Sequence, residues 1–151
     1  MYDNTKLCSE CGGECCKSLP GILFPEDVGE VTHSNIKRLL DTGRYTIDWW
    51  EGDPRYVRER RRPLMDRCMF VRPAVKGKEG ETFDPAWSGN DCTFLTNSGC
   101  QLEPEKRPTG CKLLEPKSLG CRYRGKMKDS KREGALAWLK YQVMLDSFRR
   151  Y

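Results

Sequence analysis

Residues 7–16 read Leu-Cys-Ser-Glu-Cys-Gly-Gly-Glu-Cys-Cys, and four thiols packed this tightly restrict what the chain can become. Cys8 and Cys11 stand in a C-x2-C spacing with Gly12 directly behind the second thiol. Two thiols so spaced grip one ion in a tight turn, and the glycine lets main-chain N–H groups point at the sulfurs. Cys15 and Cys16 follow a turn later. Adjacent side chains diverge by about 100° on a helix and about 180° on a strand, so the pair does not easily share one ion terminally. One of them is expected to serve the Cys8/Cys11 ion while the other faces a second centre or bridges two metals.

A chain of 151 residues matches one domain, residues 1–151, with a modest core. Hydrophobic residues make up 37% and charged residues 32%, so that core is small for the length, and bound ions would add their affinity to folding. No apolar run is long enough to span a membrane. Met1 to Lys6 lack the apolar stretch of a secretion signal, and a cytoplasmic location is expected. In a reducing cytosol the nine cysteines read as ligands rather than disulfides. The formal charge of +5 counts every thiol as neutral. Eight thiolates around two divalent ions would leave about +1, so basicity is poor evidence for a nucleic-acid partner.

Further along, Ser18–Gly21 is expected to turn, Ile22-Leu23-Phe24 to form a short strand, and Pro25-Glu26-Asp27-Val28 to open a helix. A second helix from Ser34 would carry Ile36, Leu39 and Leu40 inward and stop at Gly43. His33 lies between them; a surface or capping role is commoner for such a residue than ligation. Tyr45–Trp50 is aromatic, and Trp49 and Trp50 are expected to form a satellite core rather than a stacking platform. Arg58–Arg62 reads as a solvated charge run. Cys68-Met69-Phe70-Val71 is strand-like and brings a fifth thiol inward. Residues 73–91, rich in Gly, Pro, Lys and Glu, are expected to be a long mobile loop. Cys92-Thr93-Phe94-Leu95 is strand-like, Asn97-Ser98-Gly99 turns to present Cys100, Arg107–Gly110 turns to present Cys111, and Cys121 follows. Residues 130–150 predict a long C-terminal helix, with Ser130 and Glu133 as its capping box and Leu136, Leu139, Val143, Trp138, Tyr141, Leu145 and Phe148 as an apolar stripe. That stripe is expected to pack on the domain, with a protein partner as the alternative. The fold class is α+β: one small, irregular, metal-stapled domain with short strands, cysteine-rich loops and a long last helix.

Cys8-x2-Cys11-Gly-Gly-x-Cys15-Cys16, Pro25-Glu26-Asp27, Cys92-x-Phe-Leu, Cys100 and Arg107-Pro108-x2-Cys111 together resemble the YkgJ-type cysteine-cluster family, described as a zinc- or iron-chelating domain. The resemblance runs from about residue 7 to residue 122, the expected metal-binding core. Cys68 and Cys121 fall where some members carry additional cysteines. Three residues precede the double cysteine where many members have two, and Gln101-Leu102-Glu103 replaces an isoleucine–tyrosine pair. The resemblance implies a metal, and for most members no established reaction. One relative, the flagellin lysine N-methylase, carries a similar cluster in a longer chain; no glycine-rich nucleotide loop for a methyl donor occurs here.

The candidate metal ligands are therefore Cys8, Cys11, Cys15, Cys16, Cys68, Cys92, Cys100, Cys111 and Cys121. Cys8, Cys11 and one of Cys15/Cys16 would share a site with a cysteine from the second half, and Cys92, Cys100 and Cys111 would hold a neighbouring centre. Thiolate-only sites suit zinc or iron–sulfur clusters, and spacing does not separate two zinc sites from a cubane cluster or a bridged three-metal centre. Zinc is the favoured cofactor. The expected function is a metal-stapled binding or accessory module. An iron–sulfur redox protein or metal-dependent enzyme, with Asp27 and His33 as helpers, is the alternative. Nucleic-acid binding through Arg58, Arg60, Arg61, Arg62, Lys126 and Lys128 comes last.

Overall fold

Leu23, the second residue of an apolar triplet, donates its N–H to Val71 O at 3.0 Å and begins a sheet that organises everything around it. The computed structural model describes residues 21–55, 66–85, 91–96, 99–102, 106–108, 114–115, 122–123 and 127–150. In order these form α1 (Pro25–Val28), α2 (His33–Asp41), β1 (Tyr45–Glu51), β2 (Arg67–Pro73), β3 (Leu95–Thr96), β4 (Gly99–Cys100), β5 (Leu114–Glu115), β6 (Arg122–Tyr123), α3 (Met127–Ala137) and α4 (Gln142–Ser147). Three-ten segments, Leu139–Tyr141 and Phe148–Arg150, flank α4. Helices and small antiparallel strand pairs make this an α+β fold.

The helix starts follow local chemistry. Phe24 N donates to the Asp27 carboxylate at 2.8 Å and Asp27 N returns to Phe24 O at 2.9 Å, closing the first turn of α1. In α2 the Thr32 hydroxyl accepts from Asn35 N at 3.1 Å, satisfying one of the N–H groups a helix start leaves open. Ile36 is fully buried, and Leu39 and Leu40 pack beside it. Gly43, at φ +76°, ends the segment. Its N–H reaches Leu40 O at 3.0 Å, while its own carbonyl accepts from Gly80 N at 2.9 Å.

β1 and β2 pair antiparallel with Ile47 opposite Val71 and Trp50 opposite Cys68. Bridges extend the pair on both sides, Leu23 against Val71 and Phe83 against Ile47. Every β2 residue from Cys68 to Pro73 is buried, as befits a strand covered on both faces. Trp49 and Trp50 are half-buried against this main core rather than forming a satellite.

A buried ion pair lies within the sheet. Arg72 Nε donates to Asp48 at 2.9 Å, and its other nitrogens reach Pro73 O at 2.9 Å and Asp84 O at 2.8 Å. All of its polar groups are thereby used, the condition under which a buried charge is tolerated. Burial pushes the Asp48 carboxyl above its ordinary value, and the attraction of Arg72 pulls against that. These bonds also correct the expectation of a mobile loop over 73–91. Ala74, Val75 and Asp84 are buried, and Ile47 N donates to Thr82 O at 2.8 Å, so residues 73–85 form a packed connection.

The long C-terminal helix is likewise corrected. Its helix begins at Met127, before the expected cap at Ser130, and ends at Ala137. Trp138 leaves helical geometry at φ −95°, ψ 4°. The cause is tertiary. The buried Trp138 indole donates to Leu23 O at 2.6 Å, and Gln142 clamps β2 by accepting from Met69 N at 2.7 Å and donating to Met69 O at 2.8 Å. Gln142 also donates to Trp138 O at 3.0 Å, a carbonyl that accepts Tyr141 N at 2.9 Å in the three-ten turn as well. Of the expected stripe, Trp138, Leu145 and Phe148 are buried in the domain, whereas Val143 is 88% exposed. Gly134 lets α3 approach the sheet. A Cβ there would lie 2.6 Å from Ile22 Cγ2.

Candidate metal centre

Cys92 is held by the chain that leaves β2. Lys76 N donates to Asp91 O at 2.9 Å and Thr93 N to Ala74 O at 2.9 Å, around a bridge between Val75 and Cys92. The chain then turns, with Leu95 N on Cys92 O at 3.0 Å, and doubles back through β3 and β4. Cys100 stands opposite Leu95 in that register, and Gln101 N closes the hairpin on Phe94 O at 2.7 Å. One tight hairpin thus carries both cysteines. Buried Cys92, Phe94 and Leu95 form its own small apolar cluster, with Tyr45 and Leu102 packed against it.

Two arginines brace this hairpin. Arg107, from the Arg-Pro-x-x-Cys element, donates to Leu102 O at 3.1 Å, two residues beyond Cys100. Arg44, at the start of the sheet body, reaches Thr93 Oγ1 at 3.2 Å, Thr93 O at 3.1 Å and Gln101 Oε1 at 3.0 Å. Its guanidinium lies 4.2 Å from the centroid of Phe94. The Thr93 hydroxyl in turn donates to Glu79 at 2.8 Å. This bond is the main cause holding the Glu79 carboxyl below its usual value.

Cys68 has a different setting. It is fully buried in the main core, apart from the Cys92 cluster, and its Sγ donates to Ala135 O at 3.2 Å. Burial, and then the charge of Asp53, push its thiol up to about 12, against a smaller opposing pull from Arg55. The expected strand is present, and its cysteine faces the main core.

Cys8, Cys11, Cys15, Cys16, Cys111 and Cys121 lie outside the described residues, as does the Arg58–Arg62 run. Among the described residues no three His, Cys, Asp or Glu side chains gather as a cation site, and no helix is long and apolar enough to cross a membrane. The two nominated helpers are otherwise engaged: Asp27 caps α1, and the His33 ring stacks on Phe148 at 4.4 Å with planes 9° apart. A cavity of about 550 Å³ opens between α2 and the chain end, lined by Lys37, Leu40, Asp41, Thr82, Phe83, Phe148 and Arg149. No cysteine borders it. Sequence reasoning missed Arg44 and the Arg72 network. In each case the signal was a lone arginine flanking or entering a strand, with its partners distant in sequence.

Cys92 and Cys100 thus lie on one pinned hairpin beside a small packed body. Residues 7–138 match the family model CxxCxxCC, described as a putative zinc- or iron-chelating domain, and the chain belongs to that family. The match runs into α3, beyond the residue 122 expected from the motifs. No curated protein and no solved structure matches the chain.

Proposed function

We propose that this chain is an accessory domain stapled by metal, with thiolates from residues 8–16 joining those of Cys92, Cys100, Cys111 and Cys121. The observation that carries the reading is the hairpin, which offers Cys92 and Cys100 from one pinned turn. The family match, spanning both cysteine groups, supports the same reading. The donors suit the ion, since soft thiolates select zinc and iron. Bound there, zinc would supply a redox-inert crosslink worth several kcal/mol or more to folding. The chain's own residues supply the rest. Arg107 holds the backbone at Leu102, beyond Cys100, and Arg44 holds it at Thr93, beside Cys92, and Cys68 is assigned to the core rather than to the ligands. A reducing compartment such as the cytoplasm would keep these thiols available.

Metal analysis and a visible spectrum on protein purified without oxygen test the proposal. Colourless protein holding about two zinc ions per chain is expected. Brown protein absorbing near about 400 nm would replace zinc with an iron–sulfur cluster. Protein lacking stoichiometric metal, with its cysteines as disulfides, would overturn the proposal.

A further inference from the structure

Arg44 belongs to none of the cysteine motifs, yet it makes three side-chain bonds from the sheet body to the cysteine hairpin. Its own backbone is fixed from two directions. Ala74 N donates to Arg44 O at 2.9 Å, and the preceding Gly43 carbonyl holds Gly80 N at 2.9 Å. Gly43 is itself locked at φ +76°, where a Cβ would lie 3.4 Å from Gly80 N. From this fixed base the half-buried side chain reaches 49 residues along the sequence to Thr93 and 57 to Gln101. It touches the residue after Cys92 and the residue after Cys100, and covers Phe94 between them. A planar guanidinium suits this task, because it donates along two directions while stacking on a ring.

We propose that Arg44 is the positioning residue of the metal site, setting the Cys92–Cys100 hairpin in its binding shape before an ion arrives. The proposal rests on the metal-binding reading above for its affinity consequence, but not for its structural one. Groups that orient ligands from behind typically account for about 10- to 100-fold in metal affinity. Much of that comes from order the ion no longer has to impose.

The test uses the full chain as wild type and as Arg44→Gln, Arg44→Lys and Thr93→Val. Amide exchange is first followed in metal-free protein. Arg44→Gln is expected to speed exchange at Leu95 and Gln101 by at least about tenfold, while Ile47 and Leu23 in the sheet body keep their protection. Zinc affinity, read by competition with a chelator, should fall by about 10- to 100-fold. Arg44→Lys, which keeps the charge and loses the fork, should recover only part of both losses. Thr93→Val, which leaves the Gln101 and Phe94 contacts in place, should show the smaller defect. Unchanged exchange and unchanged zinc affinity in Arg44→Gln would overturn the proposal. So would faster exchange throughout the body, which would make Arg44 a general stability residue. Should the wild type bind no zinc, the metal reading falls while the exchange comparison still decides what Arg44 does.

Discussion

Around Val71 a dozen buried side chains from the sheet, α2 and the C-terminal helices close on one another. Around Cys92, the corresponding cluster among the described residues is Cys92, Phe94 and Leu95. The first region draws its stability from apolar burial, with Trp138, Phe70 and Ile36 all fully covered. The second has too little apolar surface to hold a hairpin by burial, and relies on polar bracing from Arg44 and Arg107. A net contribution of about 1 kcal/mol per hydrogen bond makes such bracing modest. Regions differing in this way should respond differently to core truncation, to pH and to loss of metal.

The largest effect should come from the body. Trp138→Ala empties a fully buried site and leaves Leu23 O without its indole donor, so about 3–5 kcal/mol should be lost in urea unfolding. A loss below about 1 kcal/mol would mean that the body is not held by its core. Gly134→Ala comes next. The new methyl would overlap Ile22, costing about 1–3 kcal/mol of overpacking against roughly 1 kcal/mol gained in helix propensity. The variant should be less stable than wild type by the same unfolding measurement. A more stable variant would show that α3 is free to move away from the sheet.

What the sequence disclosed was local. The end of α2 at Gly43 and its inward face of Ile36, Leu39 and Leu40 were legible within one segment, whereas its start lies at His33, capped by Thr32, and not at Ser34. The apolar run of β2 announced a buried strand. What it concealed was tertiary. Gln142 is an ordinary helix former, and its bonds to both backbone polar groups of Met69, with that of the Trp138 indole to Leu23 O, explain why the helix is interrupted there. Residues 73–85 look like a loop because Lys76, Gly77, Lys78, Glu79 and Gly80 dominate their composition. The buried Ala74, Val75 and Asp84 that pin them are diluted among those neighbours. The cysteines were legible as a class, but spacing did not tell that Cys68 lies in the main core and Cys92 in a separate cluster.

Cys68 sharpens the comparison between regions. Its thiol rises from 9.0 to about 12 in the folded chain. Below 9.0 both states keep the proton. Between those values the unfolded chain releases it and the folded chain does not, so stability falls as pH rises through that window. Cys68→Ala should cost about 1 kcal/mol near neutrality through the cavity it leaves and should flatten that alkaline decline. Its metal content should match wild type, whereas Cys92→Ser and Cys100→Ser lose metal. Loss of metal from Cys68→Ala would return that thiol to the ligand set and erase the division drawn here.

The smallest effect concerns Glu79, which is exposed but accepts hydrogen bonds from Thr93 and Gly77. These bonds hold its carboxyl below the ordinary 4.5. A carboxylate lowered on folding contributes stability that is present above its unfolded value and disappears as pH falls through the folded one. In metal-free protein, acidification below about pH 4.5 should therefore loosen the hairpin end of the molecule, read as faster amide exchange at Leu95 and Gln101 relative to Ile47. Glu79→Gln keeps an acceptor for Thr93 and has nothing to titrate, so its exchange ratio should change less over the same pH range. Because the measurement is made without metal, the comparison isolates the polar bracing from the metal. If the two proteins respond identically, the Glu79–Thr93 contact is not part of what holds the hairpin, and Arg44 and Arg107 carry that bracing without it.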